Sequence, residues 1–200
     1  PRVAMKILDY GVEACRLYHN CGDGINAYMF ACMSELTDAA LRMVGFSEIT
    51  DADSVVKIDD NILYGRISRT YLMIACHCDA VDVSIGLLEK YGVDVCGINK
   101  KDKFGNTAFD IACNAGGSSR TALMMIESYF KYIDLGGITG HGFTHLMVAC
   151  MKNSPELAIK ILEFKSAKTH IKLKNIMNND ALYYARKYGM DDVVRLLTNI

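Results

Sequence analysis

Apolar and polar residues follow each other along this chain in a pattern that recurs several times. In the clearest copy, Thr107 follows a polar turn at Gly105, and Phe109, Ala112 and Cys113 share one face of the next segment. A threonine in this place can cap a helix, and the spacing of the apolar residues predicts a short amphipathic helix. A helix of about ten residues is marginal in water on its own. We therefore expect neighbouring segments to cover its apolar face.

The template formed by Thr107, Phe109, Ala112 and Cys113 occurs at four other places. One copy begins 37 residues before Thr107 and another begins 37 residues after it. A weaker copy follows the later of these two by 36 residues, and a further copy precedes the earlier one by 44 residues. These copies are Asn26, Tyr28, Ala31, Cys32; Thr70, Leu72, Ala75, Cys76; Thr144, Leu146, Ala149, Cys150; and Asp180, Leu182, Ala185, Arg186. Self-similarity at such a period is typical of arrays in which each unit stacks only on its neighbours.

Each copy of the template predicts the first helix of a pair, because a second amphipathic segment follows it after a short turn. The predicted first helices cover residues 26–33, 70–78, 107–115, 144–151 and 180–188. The predicted second helices cover residues 38–44, 83–90, 119–133, 155–164 and 191–198. The pattern predicts no strand, and Gly92 is expected to take the left-handed conformation that closes a helix.

Residues 45–65 lengthen the first full unit by about seven residues and are rich in aspartate. We interpret them as a solvated excursion with a short helical turn at most. Asp51, Asp53, Asp59 and Asp60 lack the ligand spacing and central glycine of a calcium loop. We therefore predict no metal site there.

The period implies a single elongated domain over residues 1–200. We place a partial unit at residues 1–19 and further units at about 20–63, 64–100, 101–137, 138–174 and 175–200. The pattern of residues 1–17 resembles a second helix whose first helix is missing. Because the chain begins with Pro1 instead of methionine, we expect it to be a piece of a longer protein.

Composition narrows the class of protein further. With 51% apolar residues, 22% charged residues and two prolines, the chain has material for a core and little for disordered linkers. The formal charge of −1 argues against a dedicated nucleic-acid or anionic-membrane binder. No apolar run is long enough to span a bilayer. We therefore expect neither membrane nor nucleic-acid partners.

Four of the eight cysteines, Cys32, Cys76, Cys113 and Cys150, occupy the same template position. A small apolar side chain at this position packs between helices, so we interpret these cysteines as core residues. A thiol-rich core suits a reducing compartment better than a secreted protein. We therefore expect an intracellular protein of the cytoplasm or nucleus.

Two groups of residues carry side chains of catalytic or metal-binding type, and we predict no such site from either. Cys76, His77 and Cys78 are zinc-ligand types, but neighbouring helix residues point in different directions, and structural zinc sites need paired ligands. Cys150 and His145 are five residues apart, which does not place them on one helix face as a nucleophile pair requires. We therefore predict that the chain is not an enzyme and uses no cofactor.

Two segments carry a family resemblance. Residues 105–116, Gly-Asn-Thr-Ala-Phe-Asp-Ile-Ala-Cys-Asn-Ala-Gly, resemble the ankyrin repeat, whose pattern is Gly-x-Thr-Pro-Leu-His-x-Ala-Ala followed three residues later by Gly. Residues 87–95, Leu-Leu-Glu-Lys-Tyr-Gly-Val-Asp-Val, resemble the end of the same repeat. The resemblance covers nearly the whole chain. It implies an all-α ankyrin-repeat solenoid of stacked helix-turn-helix units with projecting inter-repeat loops.

The chain departs from the ankyrin pattern at two positions of every unit. The helix-starting proline is replaced by Ala27, Tyr71, Ala108, His145 and Ala181. The usual histidine is replaced by Met29, Met73, Asp110, Met147 and Tyr183. With its long repeats and its Ala-Cys cores, the chain looks similar to the divergent ankyrin arrays that giant DNA viruses encode, which would place it in an infected host cell.

In the ankyrin family, partners bind the concave face and the loop tips, so the resemblance implies a non-enzymatic scaffold for protein–protein interaction. The matching positions select Arg66, Ile67, Arg69, His77, Lys101, Lys103, Phe104, Asn106, His141, Phe143, Met151, Lys152, Met177, Lys187 and Tyr188 as partner-binding residues. The same positions also include Ile25, Met33, Ser34, Cys78, Asn114 and Asn179. This set is basic and aromatic and contains no acid. We therefore expect a protein partner with acidic and apolar features and no small-molecule substrate.

Two alternatives stay open at this point. The chain could be the regulatory or substrate-docking module of a larger enzyme or of a ubiquitin-ligase adaptor, which the full reading frame would reveal. It could also bind nucleic acid through its basic ridge, in which case its affinity would depend strongly on salt.

The scaffold hypothesis predicts that charge reversal at Arg66 and Arg69, or Phe104→Ala, weakens partner capture. Because these side chains are expected to be exposed, helical content and melting temperature should not change. Pull-down assays combined with circular dichroism check both parts. Variants that bind normally and only unfold would show that the concave face is assigned wrongly.

Overall fold

The computed structural model describes residues 5–6, 27–46, 56–58, 67–115, 119–139, 142–164 and 168–199. Its first helices are α1 Ala27–Met33, α3 Tyr71–His77, α5 Ala108–Asn114, α7 His145–Met151 and α9 Ala181–Lys187. Its second helices are α2 Thr37–Phe46, α4 Val81–Val95, α6 Arg120–Tyr129, α8 Pro155–Leu162 and α10 Asp191–Thr198. A 3-10 turn, Phe130–Tyr132, follows α6. The predicted helical fold is therefore confirmed.

Contacts between the helices run in three series. Each first helix contacts the next first helix, from α1 through α3, α5 and α7 to α9. Each second helix contacts the next second helix, from α2 through α4, α6 and α8 to α10. The two helices of each pair also contact each other. The core therefore lies between two layers of helices.

A short strand pair lies between α2 and α3, where the sequence pattern predicts no strand. Strand β1, Val56–Ile58, pairs with β2, Ile67–Arg69, in an antiparallel register that places Val56 opposite Arg69. The β-branched residues of both strands favour this conformation. The aspartates around them led to the interpretation as a solvated excursion, and those aspartates lie outside the described residues.

Four first helices begin with the cap that the template predicts. Thr70, Thr107 and Thr144 each accept a hydrogen bond on the hydroxyl oxygen from the backbone N–H three residues further on, at 3.2 Å. Asp180 does the same through its carboxylate at 2.8 Å. These bonds satisfy backbone donors that the first turn of a helix leaves free. The fifth predicted cap, Asn26, lies outside the described residues.

The template alanine also takes part in the hydrogen bond that closes the C-terminal end of its helix. Its carbonyl oxygen accepts a hydrogen bond from the backbone N–H five residues further on, at 2.9–3.0 Å, and the residue before that donor has a positive φ. This arrangement is the Schellman motif. It recurs with Ala31, Ala75, Ala149 and Ala185 as acceptors, and with Glu35, Asp79, Asn153 and Gly189 as the positive-φ residues.

The other template positions fill the core. Tyr28, Leu72, Phe109 and Leu146 are at most 2% exposed, whereas Leu182 in the last pair is half-buried. The four template cysteines, Cys32, Cys76, Cys113 and Cys150, are at most 1% exposed. Their interpretation as core residues is therefore confirmed.

Helix α4 contains a break at Gly92. This residue has a φ of 82° and a ψ of 164°, and a final helical turn at residues 93–95 follows it. The predicted positive φ is confirmed, but the ψ is extended instead of left-handed helical. A short helix therefore continues past the residue that was expected to end it.

Replacement of either of two exposed glycines by alanine should change the free energy of unfolding, but in opposite directions. Gly189 has a φ of 68° with no atom within 4 Å of an added Cβ, so Gly189→Ala should lower the free energy of unfolding by about 1–2 kcal/mol through backbone strain alone. Gly45 lies inside α2 without a positive φ, so Gly45→Ala should raise it by about 0.5–1 kcal/mol. Urea denaturation checks both values, and effects of the same sign would contradict this assignment.

Candidate interaction groove

Three five-residue turns precede helices α5, α7 and α9 and share one hydrogen-bond pattern. In the turns at residues 102–106, 139–143 and 175–179, the N–H of the first residue donates to the carbonyl of the fifth at 2.8–2.9 Å. The side chain of the first residue, Asp102, Thr139 or Asn175, accepts from the N–H of the fifth at 2.9–3.2 Å. The fourth residue has a positive φ in each turn. These closed turns follow each other in steps of 37 and 36 residues.

A groove of about 280 Å³ lies beside the first two of these turns and crosses α3, α5 and α7. Its lining residues are Arg69, His77, Asn106, Asp110, Ile111, Asn114, Ala115, Thr139, Phe143, Val148, Met151 and Lys152. We call this feature the groove. It brings together six of the residues in the predicted set, namely Arg69, His77, Asn106, Phe143, Met151 and Lys152, with Asn114 beside them.

Six lining residues fall into two equivalent sets, each with one member from three successive helix pairs. Arg69, Asn106 and Phe143 each directly precede a helix cap. His77, Asn114 and Met151 each lie two residues after a template alanine. The groove is therefore built from the same two positions of consecutive units.

The remaining predicted residues do not line the groove. Lys101, Lys103 and Phe104 are exposed in the turn at residues 102–106 or next to it, and the Lys103 ammonium lies 5.0 Å from the centroid of the Phe104 ring. Met177, Lys187 and Tyr188 are exposed around the last helix pair, and Ile67 lies in β2. Arg66 and His141 lie outside the described residues. These positions stay predictions.

Five lining residues are absent from the predicted set: Asp110, Ile111, Ala115, Thr139 and Val148. Ile111 and Val148 occupy the same position, four residues after the template threonine, and this equivalence in the sequence could have revealed them. Asp110 lines the groove, although the predicted set contains no acid. No local pattern indicates that this residue faces both a neighbouring unit and the groove, because its partner His145 lies 35 residues further along the chain.

Asp110 forms a buried hydrogen-bonded pair with His145 on the next first helix. Its Oδ1 lies 2.7 Å from His145 Nε2, and its Oδ2 accepts from the backbone N–H and hydroxyl of Thr107 at 2.7 and 2.9 Å. Burial alone would raise the pKa of Asp110, but the hydrogen bonds and charge of His145 and the bonds from Thr107 hold it below its ordinary value. Both oxygens are therefore engaged inside the protein.

Arg69 has an internal partner as well. Its Nε lies 3.7 Å from Oδ2 of Asp102, whose side chain is fully buried, while Arg69 is 18% exposed. Oδ1 of Asp102 accepts from the N–H groups of Phe104 and Asn106. The pair therefore joins β2 to the next turn. The sequence pattern did not indicate this partner. Charge reversal at Arg69 would place two carboxylates face to face at a buried site, so we now expect it to lower the melting temperature.

Phe143 also has contacts inside the protein. The sequence pattern selects it as a partner-binding residue, and the structure shows it half-buried and packed against the core, with its backbone closing the turn at residues 139–143. Its ring therefore contributes to packing and to the groove wall together.

The buried thiols are poorly suited to nucleophilic chemistry. Burial raises the pKa of Cys32 and Cys150 to about 12 and that of Cys78 and Cys96 to about 11. At neutral pH these cysteines are therefore protonated, whereas the thiolate is the reactive form. In the parts of the chain that the structure describes, no three His, Cys, Asp or Glu side chains are placed to hold a metal ion.

No model of a known protein family matches the chain. Among the described segments, none of the helices combines the length and the apolar character needed to cross a bilayer. A function can be argued from the groove and from the two pairs that involve its lining residues, Asp110–His145 and Arg69–Asp102.

Asp110→Asn should lower the free energy of unfolding by about 1–3 kcal/mol near neutral pH, because it removes the charge from a buried hydrogen-bonded pair. Since the pKa of Asp110 is lowered in the folded state, its contribution is present above about pH 4 and is lost as the pH falls through the folded-state pKa. The difference between variant and parent should therefore shrink in acid.

Urea denaturation of Asp110→Asn at a series of pH values tests this dependence. Asp94 is exposed on α4, so Asp94→Asn is the matched control and should show little effect at any pH. A stability difference for Asp110→Asn that stays constant from pH 7 to pH 2 would contradict the assignment.

Proposed function

We propose that this chain is a divergent ankyrin-repeat solenoid that binds another protein through the groove and has no catalytic activity of its own. Three observations support the solenoid. The capped helix starts, the Schellman ends and the closed turns each recur at the period of the template. The helix contacts run along two parallel series. The template residues form the core between them.

The single observation that carries the binding function is the composition of the groove from equivalent positions of three successive helix pairs. Neighbouring packed helices lie about 8–10 Å apart, so the groove spans roughly 16–20 Å. An extended chain advances about 3.3–3.6 Å per residue, and five or six residues of a partner therefore fit along it. At about 280 Å³, the groove lies just below the usual range of small-molecule pockets, about 300–1,000 Å³.

The lining of the groove also resembles a protein interface. An apolar floor of Ile111, Val148 and Met151 is bordered by the polar side chains of Asn106 and Asn114. Protein interfaces combine an apolar centre with a polar, solvent-accessible rim in this way. The charged groups of Asp110 and Arg69 are both engaged with partners inside the fold.

Replacement of an exposed rim residue by a bulky one tests this function. Asn114→Trp should fill the groove and reduce capture of proteins from a cell extract by about tenfold or more, which corresponds to about 1.4 kcal/mol. Glu127 is exposed on α6, in the other helix layer, and Glu127→Trp is the matched control. Circular dichroism verifies that both variants keep their fold.

Quantitative mass spectrometry of the captured proteins gives the readout. Proteins that the parent chain and Glu127→Trp capture, and that Asn114→Trp loses, would identify partners of the groove. An identical set of captured proteins for all three chains would contradict the proposal. The exposed loop residues Phe104 and Met177 provide further sites to test once a partner is known.

A further inference from the structure

The charged side chains that line the groove differ in whether they have a partner inside the protein. Two of its charged side chains have internal partners, because Asp110 pairs with His145 and Arg69 pairs with Asp102. Lys152 is exposed at the C-terminal end of α7. Within the residues that the structure describes, no carboxylate lies at ion-pair distance from its ammonium. The groove therefore presents one ammonium group that has no carboxylate partner among the described residues.

Asp110 does not cancel this charge for an incoming ligand. Its Oδ1 faces His145 Nε2 at 2.7 Å, and its Oδ2 accepts two hydrogen bonds from Thr107. A cationic group of a partner would have to displace one of these bonds to reach the carboxylate. The acid in the groove is therefore held by the fold and is not available to attract basic ligands.

An apolar surface lies directly beside Lys152. Ile111 on α5 and Val148 on α7 are 6% and 8% exposed, and the half-buried Met151 and Phe143 border them. This apolar floor can contact one aliphatic or aromatic side chain. The distance between the neighbouring helices α5 and α7, about 8–10 Å for packed helices, corresponds to about three residues of extended chain.

We propose that the groove binds a linear, extended segment of the partner with an apolar anchor and a carboxylate no more than three residues away. The apolar side chain contacts Ile111 and Val148, and an Asp or Glu side chain pairs with Lys152. This inference rests on the proposed function and adds the chemistry and the spacing of the ligand. A nucleic acid fits less well, because strong binding of phosphates uses several cations and the floor is apolar.

Selection from a displayed library of random twelve-residue peptides tests the ligand chemistry. The parent chain should enrich peptides with an apolar residue and an Asp or Glu within three positions. Lys152→Glu should instead enrich Lys or Arg near the apolar residue. Lys131 is exposed in the 3-10 turn after α6, so Lys131→Glu makes the same charge change away from the groove and should select the same peptides as the parent.

Fluorescence anisotropy with one selected peptide measures the charge pair itself. Lys152→Glu, or replacement of the peptide's acid by lysine, should each weaken binding by about fivefold, the size expected for an exposed ion pair. The two changes together should restore most of the affinity. Restoration distinguishes a direct contact from a general effect of net charge.

Each outcome of these experiments decides a separate point. Enriched peptides that lack the acid, or an acidic motif that Lys152→Glu leaves unchanged, would overturn this inference and leave the proposed function standing. No enriched peptide from the parent chain would overturn both. Tighter, strongly salt-dependent binding of a twelve-base oligonucleotide than of any selected peptide would also overturn the inference.

Discussion

The apolar face shared by successive first helices is the constraint on which the rest of this structure depends. Helices of seven residues, such as α3, α5 and α7, are too short to persist alone in water. Each becomes stable because Leu72, Phe109 or Leu146 packs against the neighbouring units. The capped starts and the Schellman ends then satisfy the backbone groups that such short helices leave free. Stability therefore comes from the stack and not from any single pair.

This constraint requires different side chains at different positions of each unit. Residues that face the neighbouring pair are fully buried and apolar, whereas residues just before the cap and two residues after the template alanine are half-buried or exposed. Different side chains occupy these equivalent positions in successive units. Arg69, Asn106 and Phe143 illustrate this, because three different chemistries occupy equivalent places. The lining of the groove can therefore differ from unit to unit while the pattern of the core stays the same.

Local features could be predicted from the sequence, whereas features that join two units could not. The caps Thr70, Thr107 and Thr144 depend on residues three positions away, and the pattern predicts them correctly. The pairs Arg69–Asp102 and Asp110–His145 join residues 33 and 35 positions apart. Their partners become neighbours only when the units stack, so no local pattern indicates them. The strand pair was not predicted for a different reason. Its β-branched residues are few and lie in an aspartate-rich segment, and such a segment was interpreted as a solvated excursion.

The closed turns at residues 102–106, 139–143 and 175–179 have a consequence for how such an array can diversify. Each turn is held by bonds between its own first and last residues, so the helices on either side do not depend on the identity of its tip. The three turns are therefore segments of the same length that can be exchanged for one another. Exchange of one turn for another would change the side chains presented beside the helices while the helical framework stays the same.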